Sequence, residues 1–419
     1  MIFFILSVIL IFTPAARGSV RIWAWGPALI AEYALVLVWI LRTVKGQSPR
    51  PRRQNDVSGT VPTTTVPSGA VPFIILAAVS FVFASYKHES FFALLRLSGY
   101  IGIYYVIVGS FGHRMVKNLM YLVVCIGTGL SAYGLLQYFG FLDHSWWVPK
   151  EFLAATYVNH NHFAGYLEMA IPVTIGALIR TTSHGIDHRP QSTVNRLVLI
   201  SALVIMGTAF VFTQSRGAWI CLTASLFAMG IALIKNKTIN VKSIFVLLWL
   251  VLAVVLLAYA NRSAVARRMD TIGAVTAGEV TGDLRLKMWE GSLKMILANP
   301  LIGTGIGTFD GSFNRYRPLA LNSIRAEFAH NDYLNMASEM GILAPFLMLW
   351  IFLGVIRRGF AKGEHPIAAG CAAGVLSLAL HGFVDFNFHI PANMLLFTVL
   401  VAVVIAEYKR KGTGPSEDA

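Results

Sequence analysis

The chain has 419 residues, of which 56% are hydrophobic and only 13% are charged, and its mean hydropathy is +0.65. Soluble proteins carry about twice that share of charged residues, so the composition excludes an ordinary soluble domain and indicates a membrane protein. The net charge of +14 does not indicate nucleic-acid binding, because excess Lys and Arg in a membrane protein more often mark cytoplasmic loops. The expected surroundings are therefore a lipid bilayer, with no nucleic-acid partner.

Apolar stretches of about 16 to 20 residues recur along the chain, and each is long enough to cross a bilayer as a helix. A helix satisfies its backbone hydrogen bonds internally, and no ten-residue alternation typical of a membrane β-barrel is present. The pattern predicts an all-α polytopic membrane protein with about 12 transmembrane helices. The predicted spans are 1–16, 24–41, 70–86, 97–111, 119–139, 162–179, 197–213, 217–234, 243–260, 338–356, 366–384 and 391–407.

Basic residues concentrate in alternate short loops, which predicts that both termini are cytoplasmic. Residues 44–69 are rich in Pro, Ser, Thr and Arg and cannot bury a core, so they are predicted to be a flexible cytoplasmic linker. The predicted segments are N-terminal transmembrane helices at 1–43, the linker at 44–69, transmembrane helices 3–9 at 70–260, a large outer loop with short helices at 261–335, transmembrane helices 10–12 at 336–408 and a cytoplasmic tail at 409–419.

With this topology, unusual polar residues collect at the outer ends of the spans, where ionisable groups are costly and mark a candidate site. Arg216 lies in a short hairpin between spans seven and eight, and Arg285 lies on an amphipathic helix predicted over 283–298. Two guanidinium groups suit phosphate oxygens, whereas snorkelling and a surface helix are the structural alternatives. The candidate substrate-binding residues are Asn159, Asn161, Gln214, Ser215, Lys287, Asn331, Tyr333 and Asp385.

His330 precedes the tenth predicted span and is the candidate general base, since a neutral imidazole there can accept a proton from a hydroxyl. Capping is its structural alternative, and Asp385 and Glu339 are alternative bases or orienting residues. Too few carboxylates converge for a two-metal site, and no βαβ unit surrounds the glycine-rich stretch 303–307, so neither a metal nor a cofactor is expected. Two arginines and a histidine suit the displacement of a diphosphate from a lipid-linked donor.

Four stretches resemble the O-antigen ligase and polymerase superfamily: NHNHFAGYLEMAIP (159–172), TQSRGAW (213–219), RLKMWEGSLKMILANPLIGTGIGTF (285–309) and AHNDYLNMASEMGI (329–342). The resemblance covers roughly residues 155–345. It implies a GT-C-like fold in the bacterial inner membrane and inverting, metal-independent glycosyl transfer at the periplasmic face, from undecaprenyl-diphosphate-linked glycan. The outer loop at 261–335 is then periplasmic.

In that family, the functional arginines and histidine would fall on Arg216, Arg285 and His330 as catalytic residues. The resemblance to the ligase pattern H-[NSQ]-x9-G-x-x-[GTY] holds at His330, Asn331 and Gly341, but Ala344 occupies the last place. This departure leaves ligase and polymerase open.

The leading prediction is an O-antigen ligase that moves glycan from undecaprenyl diphosphate to lipid A-core or another glycan acceptor. A polymerase of O-antigen or exopolysaccharide and a protein-directed oligosaccharyltransferase are its siblings. A polyisoprenoid-glycan transporter is the rival from another class, and it would place ionisable residues near mid-membrane and show related halves. The marked residues instead lie at helix ends on one side beneath a large loop, which favours an enzyme.

Overall fold

The computed structural model describes residues 1–46, 66–142, 152–183, 190–239, 282–322, 325–361 and 365–411, and no strand occurs within these ranges. Single 3-10 turns lie at Arg17–Ser19, Leu319–Leu321 and Asn387–His389. The α-helices are α1 (Ile2–Ala15), α2 (Ile22–Val44), α3 (Ala70–Val82), α4 (Lys87–Ser110), α5 (His113–Tyr138), α6 (His160–Ser183), α7 (Pro190–Phe212), α8 (Arg216–Lys235), α9 (Gly282–Ala298), α10 (Phe309–Phe313), α11 (Asp332–Met340), α12 (Leu343–Gly359), α13 (Pro366–His381) and α14 (Pro391–Lys411).

Seven of the described helices, α2, α4 to α8 and α14, are long and apolar enough to cross a membrane, and α1, α3 and α13 are shorter apolar helices. The prediction of a polytopic α-helical membrane protein is therefore confirmed. The predicted ninth span, 243–260, lies outside the described residues, as do 261–281 of the predicted outer loop and 47–65 of the predicted linker. The count of about 12 spans and the GT-C-like arrangement remain predictions.

Helices α6, α13 and α14 form the centre of the helix assembly, while α2 lies at its edge. The membrane-spanning windows of α6 and α14 are each 89% buried, against 22% for α2. Glycines allow α13 to lie directly against α6: a Cβ on Gly370 would lie 2.4 Å from the carbonyl oxygen of Pro172, and one on Gly374 would lie 2.9 Å from that of Met169. Small residues at such crossings let two backbones approach closely.

The predicted tenth span, 338–356, is wrong as a single helix. The chain breaks between α11 and α12 at Gly341, which has a φ of +85°. A Cβ there would lie 2.2 Å from the carbonyl oxygen of Leu301, and the next amide, of Ile342, donates to the carbonyl of Pro300 at 2.9 Å. Hydropathy misses this break because the two residues that flank it directly, Met340 and Ile342, are apolar.

Other predicted boundaries shift by less. Helix α13 ends at His381 rather than at 384. Helix α4 begins at Lys87 rather than at 97, because polar residues near its start lower the window hydropathy without ending the helix. Helix α14 continues to Lys411, into the predicted tail at 409–419, of which 412–419 lie outside the described residues.

The two ends of the helices differ in their polar contacts. At one end lie the starts of α6, α8 and α14 and the ends of α7 and α13, and there the polar residues singled out in the sequence gather. At the other end, Arg180 Nη2 lies 2.9 Å from His113 Nε2, and Asn236 Nδ2 donates to the carbonyl of Ala361 at 3.1 Å. The one-sided site is thus a feature of the fold, while the side of the membrane that it faces remains a prediction.

Candidate active site

The segment 382–390, which joins α13 to α14, is the centre of the candidate site, and α11 holds it in place. The amide of Asp332 donates to the carbonyl oxygens of Gly382 at 2.7 Å and of Asp385 at 3.1 Å. Asn331 caps α11, since its Oδ1 accepts the amide hydrogens of residues 333 and 334, and its Nδ2 donates to the carbonyl of Phe383 at 2.8 Å. The asparagine after the histidine therefore starts the helix and fixes the neighbouring segment.

Two histidine–carboxylate pairs connect the same two segments in opposite directions. His330 Nδ1 lies 3.5 Å from Asp385 Oδ1, and His389 Nδ1 lies 2.8 Å from Asp332 Oδ1. His389 Nε2 is also occupied, by Asn335 Nδ2 at 3.1 Å, so both nitrogens of that ring have structural partners. In the described part of the chain, no hydrogen bond holds Nε2 of His330, which makes it the better candidate for proton transfer.

His330 is held in an unusual position. Its φ of +51° lies in the left-handed region, which non-glycine residues adopt rarely and at a cost of about 1–3 kcal/mol. Its ring stands edge-to-face against Phe386 with centroids 4.6 Å apart, and its side chain is 13% exposed. Backbone strain of this kind persists where surrounding contacts fix it, and it is frequent at functional sites.

Asp385 is a buried carboxylate with several partners. Its Oδ1 accepts the amide hydrogen of Phe386 at 2.8 Å and lies 3.9 Å from His162 Nε2. Burial by itself would raise the pKa of the Asp385 carboxyl, but His330 and the charges of His162 and His381 outweigh burial and hold that pKa below its ordinary value. The group is therefore an anion beside His330, the arrangement by which a carboxylate orients a general base.

The segment 382–390 contacts one predicted arginine directly and lies beside the residue that follows the other. Arg285, on α9, donates from Nη1 to the carbonyl of Val384 at 3.0 Å. Arg216 is the exposed first residue of α8, and a Cβ on the next residue, Gly217, would lie 3.1 Å from Cγ2 of Val384. The fold thus brings His330 and Arg285 to residues 385 and 384, and it places the start of α8, with Arg216, next to the same segment.

Apart from Asp385, the predicted substrate-binding residues fall into three groups. Asn331 and Tyr333 are committed to structural hydrogen bonds, since the Tyr333 hydroxyl donates to the carbonyl of Ala379 at 2.6 Å. Lys287 is exposed and paired with Glu290 at 3.0 Å. The others lie at helix starts near the turn: Asn159 accepts the amide hydrogen of Asn161 at 2.8 Å, and Gln214 (φ +56°) precedes the buried Ser215, the N-cap of α8. Their substrate contacts remain predictions.

Glu339, which the sequence offers as an alternative base, is engaged in structural hydrogen bonds. Its two carboxylate oxygens accept the amide hydrogens of Gly307 at 2.9 Å and Phe309 at 3.0 Å. A Cβ on Gly303 would lie 2.2 Å from the carbonyl carbon of Glu339. The glycine-rich stretch 303–307 therefore packs its backbone against the end of α11.

Glu168 is a residue that the sequence reasoning missed. It lies in α6, has no exposed surface, and its Oε1 lies 2.9 Å from Nδ1 of the buried His381. The available signal was a single acidic residue within an otherwise apolar span, which is expensive in a membrane unless it has a partner. The sequence does not identify that partner, because His381 is more than 200 residues away along the chain.

The fold and this site define a polytopic α-helical membrane protein with a histidine–carboxylate pair and two arginines at one end of its helices. Residues 201–351 match a protein-family model described as O-antigen ligase. This match, over 151 of the 419 residues, confirms the predicted resemblance to the O-antigen ligase and polymerase superfamily. It includes Arg216, Arg285 and His330 and ends before Asp385. No curated protein matches the chain.

Proposed function

We propose that this protein is an inverting, metal-independent glycosyl-transferring enzyme of the inner membrane, acting at its periplasmic face as an O-antigen ligase. Its donor is an O-antigen-type glycan on undecaprenyl diphosphate, and its acceptor is lipid A-core. The observation that carries the proposal is the buried Asp385 at 3.5 Å from Nδ1 of His330, on the turn whose Val384 carbonyl binds Arg285.

The histidine supplies the base. Nε2 of His330 takes the proton from the acceptor hydroxyl while that oxygen attacks the anomeric carbon, and the carboxylate of Asp385 stabilises the imidazolium that forms. The attack comes from the side opposite the bond to the diphosphate. That bond breaks with its electron pair going to the diphosphate oxygen, so the anomeric configuration inverts.

The arginines stabilise the leaving group. Negative charge on the diphosphate increases as the glycosidic bond breaks, and donors already aimed at that position stabilise it most in the transition state. Arg285 has one nitrogen on Val384, while its Nε is buried without a hydrogen-bond partner among the described residues. Arg216 is exposed at the start of α8. Both guanidinium groups retain donors for phosphate oxygens.

A polymerase that joins repeat units is the second candidate. It is favoured by Ala344, which stands where the ligase pattern has Gly, Thr or Tyr and is fully buried at the start of α12. The donor chemistry and the base would be the same in both enzymes, and only the acceptor differs.

Deletion of the gene in its native host distinguishes the candidates, with surface polysaccharide and undecaprenyl-linked glycans analysed side by side. Long glycan retained on its lipid carrier, with bare lipid A-core, identifies a ligase. Core capped with one repeat unit identifies a polymerase. Complementation with the wild-type chain should restore the product, whereas His330→Gln at equal membrane abundance should not. If both glycan pools are unchanged by deletion, glycosyl transfer is refuted.

A further inference from the structure

A third histidine–carboxylate pair, fully buried, lies next to the candidate site. His381, the last residue of α13, is 1% exposed, and its Nδ1 lies 2.9 Å from Oε1 of Glu168 in α6. Ser377 donates to the other carboxylate oxygen at 3.1 Å. A carboxylate at membrane depth is costly without a partner, so this pair is a compensated charge that the fold maintains beside the site.

The free nitrogen of His381 faces the start of α8. A Cβ on Gly217 would lie 3.3 Å from Nε2 of His381, and no hydrogen bond holds this Nε2 in the part of the chain that the structure describes. His389 differs, because Asn335 occupies its Nε2. The carboxylate of Glu168 compensates the charge of a doubly protonated His381 ring, and in that form Nε2 is a hydrogen-bond donor.

The first turn of α8 offers further donors at the same place. The side chain of Ser215, the N-cap of α8, makes no hydrogen bond to this turn. The first amide groups of α8 therefore lack a side-chain cap. A helix N-terminus favours anions through these groups and through the helix dipole. The exposed guanidinium of Arg216 lies on the same turn.

We propose that His381, positioned by Glu168, binds a phosphate oxygen of the diphosphate-linked lipid donor together with Arg216 and the first turn of α8. This inference rests on the proposed function and adds a diphosphate contact to it. His381 is the binding residue and Glu168 the positioning residue. His330, which faces Asp385, serves the acceptor hydroxyl.

Binding of radiolabelled undecaprenyl diphosphate to the purified full-length chain in detergent micelles, measured after gel filtration, tests this contact. His381→Gln should weaken binding about tenfold or more, the loss expected for one charge-assisted hydrogen bond. The thermal unfolding midpoint of each variant shows whether it is folded.

Gly217→Ala provides a second test that leaves the Glu168–His381 pair intact. The added methyl group would lie 3.3 Å from Nε2 of His381 and would crowd this nitrogen, and Ala is a better helix former than Gly. Weaker binding is expected. Gly207→Ala is the matched control, because a Cβ at that position in α7 meets nothing within 4 Å, and its binding should equal that of the wild type.

The outcomes separate this contact from the proposed function. Wild-type affinity in both folded variants overturns the His381 contact while the donor assignment stands, provided that the wild type binds undecaprenyl diphosphate better than undecaprenol. If His381→Gln does not fold, Gly217→Ala decides alone. If the wild type does not prefer undecaprenyl diphosphate over undecaprenol, both the donor assignment and this contact are overturned.

Discussion

Asp385→Asn tests the central interaction of the site, because it removes one charge with almost no change of shape. The amide hydrogen of Phe386 donates to Oδ1 of Asp385 at 2.8 Å, and this same oxygen faces His330 at 3.5 Å. In the variant, that amide hydrogen should keep the asparagine carbonyl oxygen in place and the amide nitrogen turned away. The histidine tautomer is then retained, and the charge is what changes.

The size of the effect follows from the distance. Two unit charges at 3.5 Å attract by about 4–5 kcal/mol at an effective dielectric constant of about 20. Nearly all of this attraction arises as His330 gains its proton in the transition state, because a general base enters the reaction without that proton. At about 1.4 kcal/mol for each factor of ten, the transfer rate should fall about 10³-fold.

The assay is single-turnover transfer from undecaprenyl-diphosphate-linked glycan to lipid A-core in proteoliposomes. Asp385→Asn, His330→Gln and the double variant form a cycle, and the double variant should transfer no more slowly than His330→Gln alone, since Asp385 acts through that ring. Asp310→Asn is the matched control: its carboxylate is 41% exposed and pairs with Arg325, and this variant should transfer as the wild type does. Multiplicative losses in the double variant, or a folded Asp385→Asn at the wild-type rate, would refute the reasoning.

Three further predictions concern stability, followed as the thermal midpoint of the purified protein. Gly341→Ala should destabilise the protein by about 1–3 kcal/mol, because φ is positive and the new Cβ meets the Leu301 carbonyl. Gly129→Ala, in open space on α5, should not lower the midpoint. Equal midpoints for the two variants would contradict the role of Gly341. Glu339→Gln should cost about 1–3 kcal/mol of stability, because one backbone donor at 307 or 309 loses its acceptor. The folded variant should still transfer glycan. Loss of transfer with an unchanged thermal midpoint would make Glu339 a catalytic group. The pKa of Asp385 lies below its ordinary value in the folded chain, so its contribution to stability is present above about pH 4 and lost as the pH falls below that. Asp385→Asn should flatten this dependence of the thermal midpoint on pH. An unchanged dependence in the variant would refute the lowered pKa of Asp385.

The sequence was informative where a property is local. Long apolar runs predicted the membrane helices, since crossing a bilayer needs only length and hydrophobicity. Arg216 and His330 were identified as polar groups at the ends of such runs, and Arg285 on an amphipathic helix of the outer loop. The structure places Arg285 and His330 against the segment 382–390, and the start of α8 beside it. The break at Gly341 was missed, because it depends on the approach of Leu301, which hydropathy does not encode.

By itself, the sequence determined the class of protein, a polytopic helical membrane protein, and the motifs of the O-antigen ligase and polymerase superfamily. The tertiary structure decided which histidine pairs with which carboxylate: His330 with Asp385, His389 with Asp332, and His381 with Glu168. These pairs join residues 55 to 213 positions apart. Hydrogen bonds and charge pairing act over a few ångströms in space, so their partners are fixed only when the helices pack.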